Sequence, residues 1–184
     1  MKPALIIVDM LYEFVKGRLR SPQAEKIVPI IKKLIEAAHE RGVPVIHVVD
    51  QHYPSDPELK LWGPHALAGS SEAKIIDELA PSENDIVIPK HGYSGFRDTP
   101  LDLVLRSKGV DTIIVTGIHT HICVLHTVGD AFYYGYNIIV VEDGVAAFSE
   151  KDHEYALEYM RKIYGAKIVD SKTAIEVMKT GKQV

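Results

Sequence analysis

Short apolar runs alternate with longer amphipathic segments from one end of this chain to the other. The runs are rich in Val and Ile and have little two-residue alternation, which is typical of strands covered on both faces. They are Ala4–Val8, Val43–Val49, Asp85–Ile88, Thr112–Thr116, Asn137–Val141 and Lys167–Val169. Because parallel strands need crossover segments, this order predicts an α/β fold, a three-layer α/β/α sandwich around a six-stranded parallel sheet.

The segments between the runs have helical periodicity. The predicted helices are Gln23–Arg41, Ser71–Leu79, a segment that begins at Thr99-Pro100 and ends at Gly109, His121–Tyr134, Glu150–Tyr164 and Ser171–Lys179. Thr99 is the predicted N-cap and Pro100 the first helical residue. Asp50–Ser70 and Pro89–Asp98 lack this periodicity. Both follow a strand, so we expect both at the carboxyl edge of the sheet, where open α/β sheets place ligands.

Length and composition limit the classes of function. The 184 residues predict one domain, residues 1–184, and the 46% apolar and 25% charged residues are typical of a globular protein. A net charge of −4 without a basic cluster argues against nucleic acid and acidic membrane surfaces as partners. No stretch has the length that crosses a bilayer. One cysteine and no signal-peptide pattern predict a cytoplasmic protein.

Cys123 is the only cysteine, and it follows the strand Thr112–Thr116 in the turn toward the next predicted helix. A thiol in the first helical turn has its thiolate favoured by unpaired backbone N–H groups and the helix dipole. The same N–H groups could hold an oxyanion. Free cysteines are also common as small buried hydrophobes, so the residues alone leave a catalytic and a structural role open.

Asp9 and Lys90 also follow predicted strands. Taken singly, Asp9 could cap a loop and Lys90 could be a solvated lysine. Together with Cys123, each ends a different strand, so the three side chains could converge at one edge of the sheet. A cysteine nucleophile needs a base to remove its proton, and a base with a nearby cation supplies a proton acceptor and charge stabilisation.

A second polar group is Asp50, His52 and His65, in and after the second predicted strand. Ligands two residues apart in an extended chain point the same way, and a later histidine can complete a site. One carboxylate and two imidazoles suit zinc, iron or manganese. Glu58 could add a fourth oxygen, although solvated surface charge explains it more simply.

Two further groups of residues lie near this edge of the predicted sheet. His119, His121 and Cys123 form a His-x-His-x-Cys pattern, but residues two apart on a helix diverge by about 200°, so we do not expect a metal site there. Phe14 and Trp62 flank the proposed site. Aromatic residues in such loops usually pack, but these two could sandwich a flat ligand.

Taken together, these residues resemble the isochorismatase-like cysteine hydrolases, which include nicotinamidase and N-carbamoylsarcosine amidase. The resemblance runs from Ala4 to about Val169. Its markers are Ala4-Leu-Ile-Ile-Val-Asp9-Met10 with Phe14, Lys90 followed by Tyr93-Ser-Gly-Phe96 and Thr99-Pro-Leu-Asp102, and Gly117-Ile-His-Thr-His-Ile-Cys123. Their order and spacing make the resemblance specific.

The resemblance implies the strand order 3-2-1-4-5-6 and a catalytic triad of Asp9, Lys90 and Cys123. It also implies a cis peptide bond at Ile118–His119, with the N–H groups of His119 and Cys123 as oxyanion hole. By the same analogy, Asp50, His52 and His65 match the nicotinamidase metal triplet, with zinc expected and iron or manganese as alternatives. Phe14, Trp62 and Ile118 are the implied substrate contacts.

The implied activity is hydrolysis of a small carboxamide, with nicotinamide as the first candidate substrate. Two features depart from nicotinamidases: only His91 and Gly92 separate Lys90 from Tyr93, and His119 and His121 replace the small and acidic residues usual in the cysteine turn. An N-carbamoyl or ureido substrate is the alternative, and a non-catalytic binding protein is a third hypothesis. Exposed tyrosines and the habit of the family predict a homo-oligomer, a dimer or tetramer.

Overall fold

The computed structural model describes residues 1–182, so the last two residues of the predicted domain, 183–184, lie outside the described residues. Six strands form one sheet: β1 Pro3–Val8, β2 Val45–Asp50, β3 Ile86–Lys90, β4 Thr112–Ile118, β5 Asn137–Ala146 and β6 Lys167–Val169. Their order is β3-β2-β1-β4-β5-β6, and every neighbouring pair is parallel. The predicted α/β class and the strand order 3-2-1-4-5-6 are both confirmed.

Seven α-helices lie in the described chain: α1 Tyr12–Val15, α2 Ala24–Glu40, α3 Leu59–Trp62, α4 Leu101–Ser107, α5 Leu125–Tyr133, α6 Glu150–Tyr164 and α7 Ser171–Thr180. Successive strand residues face opposite sides of the sheet, and both sides are apolar. Leu5 and Ile7 of β1 pack with α2 and α7, whereas Ala4 and Ile6 pack with α4, α5 and α6. This double burial explains why the strands have continuous apolar runs.

The predicted helix at Ser71–Leu79 is wrong. Only Asp77–Leu79 forms a single 3₁₀ turn. The residues before it form a turn that leads into an isolated bridge. Ile75 pairs antiparallel with Leu11, and the carbonyls of Glu72 and Lys74 accept hydrogen bonds from the N–H groups of residues 13 and 12. The backbone of this segment therefore pairs with the chain after β1, which outweighs its local helical pattern.

Two predicted helix starts also differ. The helix expected after Thr99 begins at Leu101 with Pro100 at the cap, one residue later than the sequence suggests. The helix expected from His121 is a π-helical turn, Thr120–Val124, that continues into α5. Within residues 1–182, no helix is both long enough and apolar enough to cross a bilayer.

Candidate active site

The carboxyl ends of four adjacent strands carry the candidate catalytic groups. Asp50 and Lys90 are the last residues of β2 and β3 and lie opposite each other in the sheet. Asp9 follows β1 directly, and Cys123 lies in the π-helical turn after β4. Because β3, β2, β1 and β4 are neighbours in this order, residues far apart in sequence meet at one edge.

Gly117 allows β4 to approach the end of β1 closely. Its φ is +114°, a value that L side chains rarely adopt, and a Cβ at this position would lie 2.0 Å from the carbonyl oxygen of Val8. Any larger residue would push β4 away from β1. The sequence therefore needs glycine here to bring the cysteine turn beside Asp9.

Lys90 is the centre of a buried ion network. Its Nζ lies 2.8 Å from Oδ2 of Asp9, contacts Oδ1 of Asp50 and donates to the carbonyl of Gly92 at 3.1 Å. All three charged side chains are at most 2% exposed. Burial lowers the pKa of the Lys90 ammonium, but Asp50 and Asp9 outweigh it and hold the pKa well above its ordinary value.

The two carboxyl groups are held in different states. Burial and the nearby Asp50 carboxylate raise the pKa of Asp9 to about 6, against the opposing effect of Lys90. Burial also acts on Asp50, but Lys90 and His52 outweigh it and lower the Asp50 pKa below its ordinary value. The backbone N–H of Asp50 donates to Oδ1 of Asp9 at 2.8 Å, which fixes the orientation of the Asp9 carboxylate. Asp9 is therefore the carboxyl group better suited to exchange a proton near neutral pH.

Cys123 lies within reach of this network. Its Sγ is within 4.8 Å of carboxylate oxygens of Asp9 and Asp50, and the residue is only 5% exposed. Burial raises the pKa of the thiol well above its ordinary value, and the Lys90 ammonium only partly opposes this. The expectation of a thiolate favoured by the helix start is therefore wrong for the resting site, in which the thiol is protonated beside a carboxylate.

The two backbone N–H groups expected to hold an oxyanion, those of His119 and Cys123, lie at or after an unusual peptide bond. The Ile118–His119 peptide bond is cis. In the described chain, the N–H of His119 donates no hydrogen bond, and the N–H of Cys123 donates to no residue outside its own turn. Both groups expected from the resemblance thus lie in the segment that carries the cysteine.

The predicted metal ligands meet beside the ion network. One ligand atom each from Asp50, His52, Glu58 and His65 lies within 4.8 Å of all the others. The Nε2 atom of His52 is 3.4 Å from Oδ2 of Asp50 and 3.8 Å from Oε2 of Glu58. That nitrogen is buried and has no hydrogen-bond partner within the described chain. A buried, unpartnered imidazole nitrogen facing carboxylates fits a divalent cation.

The outer nitrogens of both histidines are held. Nδ1 of His52 lies 3.0 Å from Oδ2 of Asp56, and Nδ1 of His65 lies 2.8 Å from the carbonyl oxygen of Gly63. A carboxylate or carbonyl at one ring nitrogen fixes the tautomer and leaves the other nitrogen free to ligate. Both rings therefore have an orientation that suits metal binding.

Glu58 is not the solvated surface charge that the sequence suggested. Its side chain is 10% exposed and belongs to the ligand group. Burial and the Asp50 carboxylate raise the pKa of Glu58 to about 7. Within residues 1–182, the three residues of the His-x-His-x-Cys pattern do not together form one of the groups that could hold a metal ion. The only feature of the sequence that indicated Glu58 as a possible ligand was its position between His52 and His65.

A small chamber, partly open to solvent, lies between the thiol and the metal-ligand group. Its volume is about 20 Å³. The lining residues are Phe14, Leu19, Asp50, Glu58, Trp62, His65, Tyr93, His119, Ile122, Cys123 and Phe148. A larger hollow of about 450 Å³ lies at the opposite edge of the sheet, beside the first residues of β4, β5 and β6, away from these groups.

The predicted substrate contacts fall into two groups. Phe14 and Trp62 line the chamber, and the Trp62 indole donates to the Tyr93 hydroxyl at 3.0 Å. The Ile118 side chain does not line the chamber and packs in the core with α2 and α7. Sequence reasoning missed Leu19 and Phe148. The position of Phe148, two residues after β5 at the same sheet edge, was the available signal for its role.

Arg18 connects two segments that line the chamber, one with Leu19 and one with Trp62. Its Nη2 donates to the carbonyls of Trp62 at 2.8 Å and Pro64 at 3.3 Å. We expect Arg18→Ala to raise the rate of Cys123 alkylation by iodoacetamide about threefold or more, because the two hydrogen bonds that hold the Trp62–Pro64 wall of the chamber in place are lost. Cys123 is the only cysteine, so the labelling rate reports this site alone.

The control for this prediction is Arg20→Ala, an exposed arginine two residues away. Its alkylation rate should equal that of the unmodified protein at the same pH. If Arg18→Ala reacts no faster than Arg20→Ala, then Arg18 does not limit access to the thiol.

Comparisons with known proteins identify the family of this chain. The family model described as "Isochorismatase domain" matches residues 3–173. The crystal structure of N-carbamoylsarcosine amidase from Thermoplasma acidophilum is 47% identical, with a TM-score of 0.88 over 93% of this chain and 97% of that one.

Two further solved structures share the fold. A nicotinamidase from Bacillus subtilis is 32% identical, with a TM-score of 0.87 over 92% of this chain and 100% of that one. The pyrazinamidase of Pyrococcus horikoshii, solved in complex with zinc, is 31% identical, with a TM-score of 0.84 over 92% of this chain and 99% of that one. The family model and these structures cover nearly the whole chain. This protein therefore belongs to the isochorismatase family of hydrolases.

Proposed function

We propose that this protein is a cysteine-dependent amidohydrolase that converts a small carboxamide to its acid and ammonia, with nicotinamide as the first candidate. The observation that carries the proposal is the only cysteine, buried beside a carboxylate whose pKa lies near neutrality and which is paired with a buried ammonium. In this assignment Cys123 is the nucleophile, Asp9 the proton carrier and Lys90 the cation that holds Asp9.

The proposed reaction begins with proton transfer from the Cys123 thiol to the Asp9 carboxylate as the sulfur attacks the carbonyl carbon. The carbonyl oxygen becomes an oxyanion that accepts hydrogen bonds from the N–H groups of His119 and Cys123, each typically contributing about 3 kcal/mol. The C–N bond then breaks, Asp9 returns its proton to the leaving nitrogen, and ammonia departs. Water hydrolyses the thioester to the acid and restores the thiol.

The other residues that line the chamber would orient the substrate. Phe14 and Trp62 are placed to contact a flat ring, and holding the reacting atoms in position can lower the barrier by several kcal/mol. Asp50, His52 and His65, with Glu58 nearby, would hold a divalent cation, zinc in the first place and iron or manganese as alternatives. When bound, this cation would supply a Lewis-acid contact for a ring nitrogen of the substrate.

A second candidate substrate class is the N-carbamoyl or ureido compounds. It is supported by the 47% identity to an N-carbamoylsarcosine amidase, which exceeds the 32% identity to the nicotinamidase. Ammonia release from nicotinamide, pyrazinamide and N-carbamoyl amino acids, measured together with metal content, separates the two. Turnover of pyridine carboxamides by a zinc-loaded protein supports the first class, and metal-independent turnover of carbamoyl compounds alone supports the second. No turnover of any of them contradicts the amidohydrolase proposal.

The metal proposal predicts that His52→Ala no longer binds stoichiometric zinc, because it removes a ligand. We expect Asp56→Ala, which frees the outer nitrogen of His52, to weaken zinc binding about 10- to 100-fold. Both are measured by titration calorimetry on the purified protein. His39→Ala is the matched control, since His39 also pairs with a carboxylate, that of Asp85, but on the surface. Unchanged zinc binding by His52→Ala would exclude this site.

We further propose that residues 1–184 form one hydrolase domain that assembles as a dimer or tetramer. The single sheet from residue 3 to residue 169 supports one domain. Exposed Tyr133 and Tyr155 support assembly, because large exposed aromatic groups favour interfaces. Light scattering gives the mass in solution, and a monomer at working concentration contradicts the assembly.

The proposed compartment is the cytoplasm, because a catalytic cysteine must stay reduced and the cytoplasm keeps thiols reduced.

A further inference from the structure

The His119 imidazole is built into the wall of the chamber. The residue is 3% exposed, and its ring lies between those of Phe14 and Phe148, with centroid distances of 5.6 and 4.1 Å. Nε2 lies 3.0 Å from the carbonyl oxygen of Leu19. A carbonyl oxygen only accepts hydrogen bonds, so Nε2 carries the ring proton.

The other ring nitrogen is left without a partner. Nδ1 of His119 is buried, and no hydrogen bond reaches it from any residue between 1 and 182. Burial, with a smaller effect from His121, lowers the pKa of His119 to about 3, so the ring is neutral and Nδ1 keeps its lone pair. A buried acceptor without a donor destabilises the protein, and a ligand that brings a donor can recover this loss.

The position of this acceptor restricts which part of a ligand can reach it. Cys123 follows His119 by four residues, and both line a chamber of about 20 Å³. A carbonyl group placed for attack by Cys123 therefore lies against His119. In the proposed mechanism its oxygen is taken by N–H groups, which leaves the departing –NH₂ on the carbonyl carbon as the hydrogen-bond donor available to Nδ1.

We propose that His119 is a specificity-determining residue whose Nδ1 accepts a hydrogen bond from the leaving –NH₂ of the substrate. The inference rests on the proposed amidohydrolase function and adds to it a preference for primary amides and ureido compounds over the corresponding esters. An ester offers no N–H to Nδ1, and a site built to pair a buried polar group discriminates against ligands that leave it unpaired. The preference holds whether the rest of the substrate is a pyridine ring or an amino acid.

Two variants test the roles of the two His119 ring nitrogens separately. His119→Asn keeps an acceptor close to the Nδ1 position, whereas His119→Gln keeps a donor close to Nε2 for the Leu19 carbonyl and loses the acceptor. The test measures kcat/KM for two amide and ester pairs: nicotinamide with methyl nicotinate, and N-carbamoylglycine with N-methoxycarbonylglycine. The quantity compared is the amide-to-ester ratio, because intrinsic reactivity cancels between variants.

We expect His119→Gln to lower the amide-to-ester ratio about tenfold or more, and His119→Asn to keep it close to that of the unmodified protein. His121→Gln is the control, since His121 shares the turn but does not line the chamber, and its ratio should not change. If His119→Gln slows amides and esters by the same factor, a water molecule or no group at all satisfies Nδ1, and the inference is overturned while the hydrolase function stands. An unmodified protein that cleaves neither member of either pair overturns both.

Discussion

Replacing Cys123 with alanine is expected to lower ammonia release by about 10⁴-fold or more, because the covalent route disappears with its nucleophile. The residual rate would come only from substrate placement and the backbone N–H groups. Steady-state ammonia release and single-turnover measurements at saturating substrate both report this loss. Cys123→Ser is the matched variant, because it keeps the size of the side chain but replaces the thiol with a much less acidic hydroxyl.

The fold should survive the alanine substitution. Cys123 is small and packs with Val124 and Val128 against the α4–α6 side of the sheet, so we expect a cost of about 1 kcal/mol in the free energy of unfolding. Zinc binding should be unchanged, since none of the four metal-ligand residues is altered. Retained turnover by a folded Cys123→Ala protein would rule out a thioester and leave Asp9 or a bound water to explain the reaction.

The sheet and the convergence of the site could be predicted because strand patterns are local and parallel strands end at one edge. A run of apolar residues precedes each of Asp9, Lys90 and Cys123. Because these runs contain almost no polar residues, their composition predicts strands buried on both faces. The helix proposed for Ser71–Leu79 failed for the opposite reason. Its apolar residues have helical spacing, but Ile75 pairs with Leu11 across the chain, and no local pattern contains that contact.

The electrostatic state of the site could not be predicted from sequence. The thiol pKa depends on burial by residues from distant segments, such as Tyr93 and Phe148, and burial outweighs the helix start that the sequence suggests. Glu58 differs in the same way, because the irregular segment 51–70 folds inward and removes its carboxylate from solvent. The sequence predicts which chemical groups meet, whereas the three-dimensional packing sets their protonation.

Asp50 connects the two halves of the site in a way that the sequence did not suggest. One carboxylate oxygen contacts Lys90, and the other faces Nε2 of His52. The expected metal ligand is thus also the second counter-ion of the expected catalytic lysine. Removing Lys90 therefore disturbs the metal-ligand group as well as Asp9.

Replacing Lys90 with methionine is expected to lower the free energy of unfolding by about 3–5 kcal/mol at pH 7.5 and to abolish turnover. Methionine fills similar space but leaves the carboxylates of Asp9 and Asp50 buried without their cation, which is the costly way to break a buried ion pair. Urea unfolding followed by circular dichroism gives the free energy. Lys33→Met, at an exposed position of α2, is the control and should be within about 0.5 kcal/mol of the unmodified protein.

The pH dependence of this loss has a definite sign. In the unmodified protein the pKa of Lys90 is raised by folding, so its contribution to stability is complete below about 10.5 and is lost only as the pH rises through the higher folded value. The lowered pKa of Asp50 adds stability above 3.8 that is lost as the pH falls through the folded value. Asp9, whose pKa rises from 3.8 to about 6, opposes folding once it ionises.

Without Lys90, the folded pKa of Asp9 should rise further and that of Asp50 should rise from its lowered value, because the ammonium shared by both carboxyl groups is gone. Lys90→Met should therefore be most stable near pH 4, where both groups can be protonated, and should lose stability steadily as the pH rises toward 8. The difference from the unmodified protein should thus be larger at pH 7.5 than at pH 4. A loss below about 1 kcal/mol, or one that does not change between these pH values, would mean that the carboxylates find other partners and that Lys90 is not what holds Asp9 ready for proton transfer.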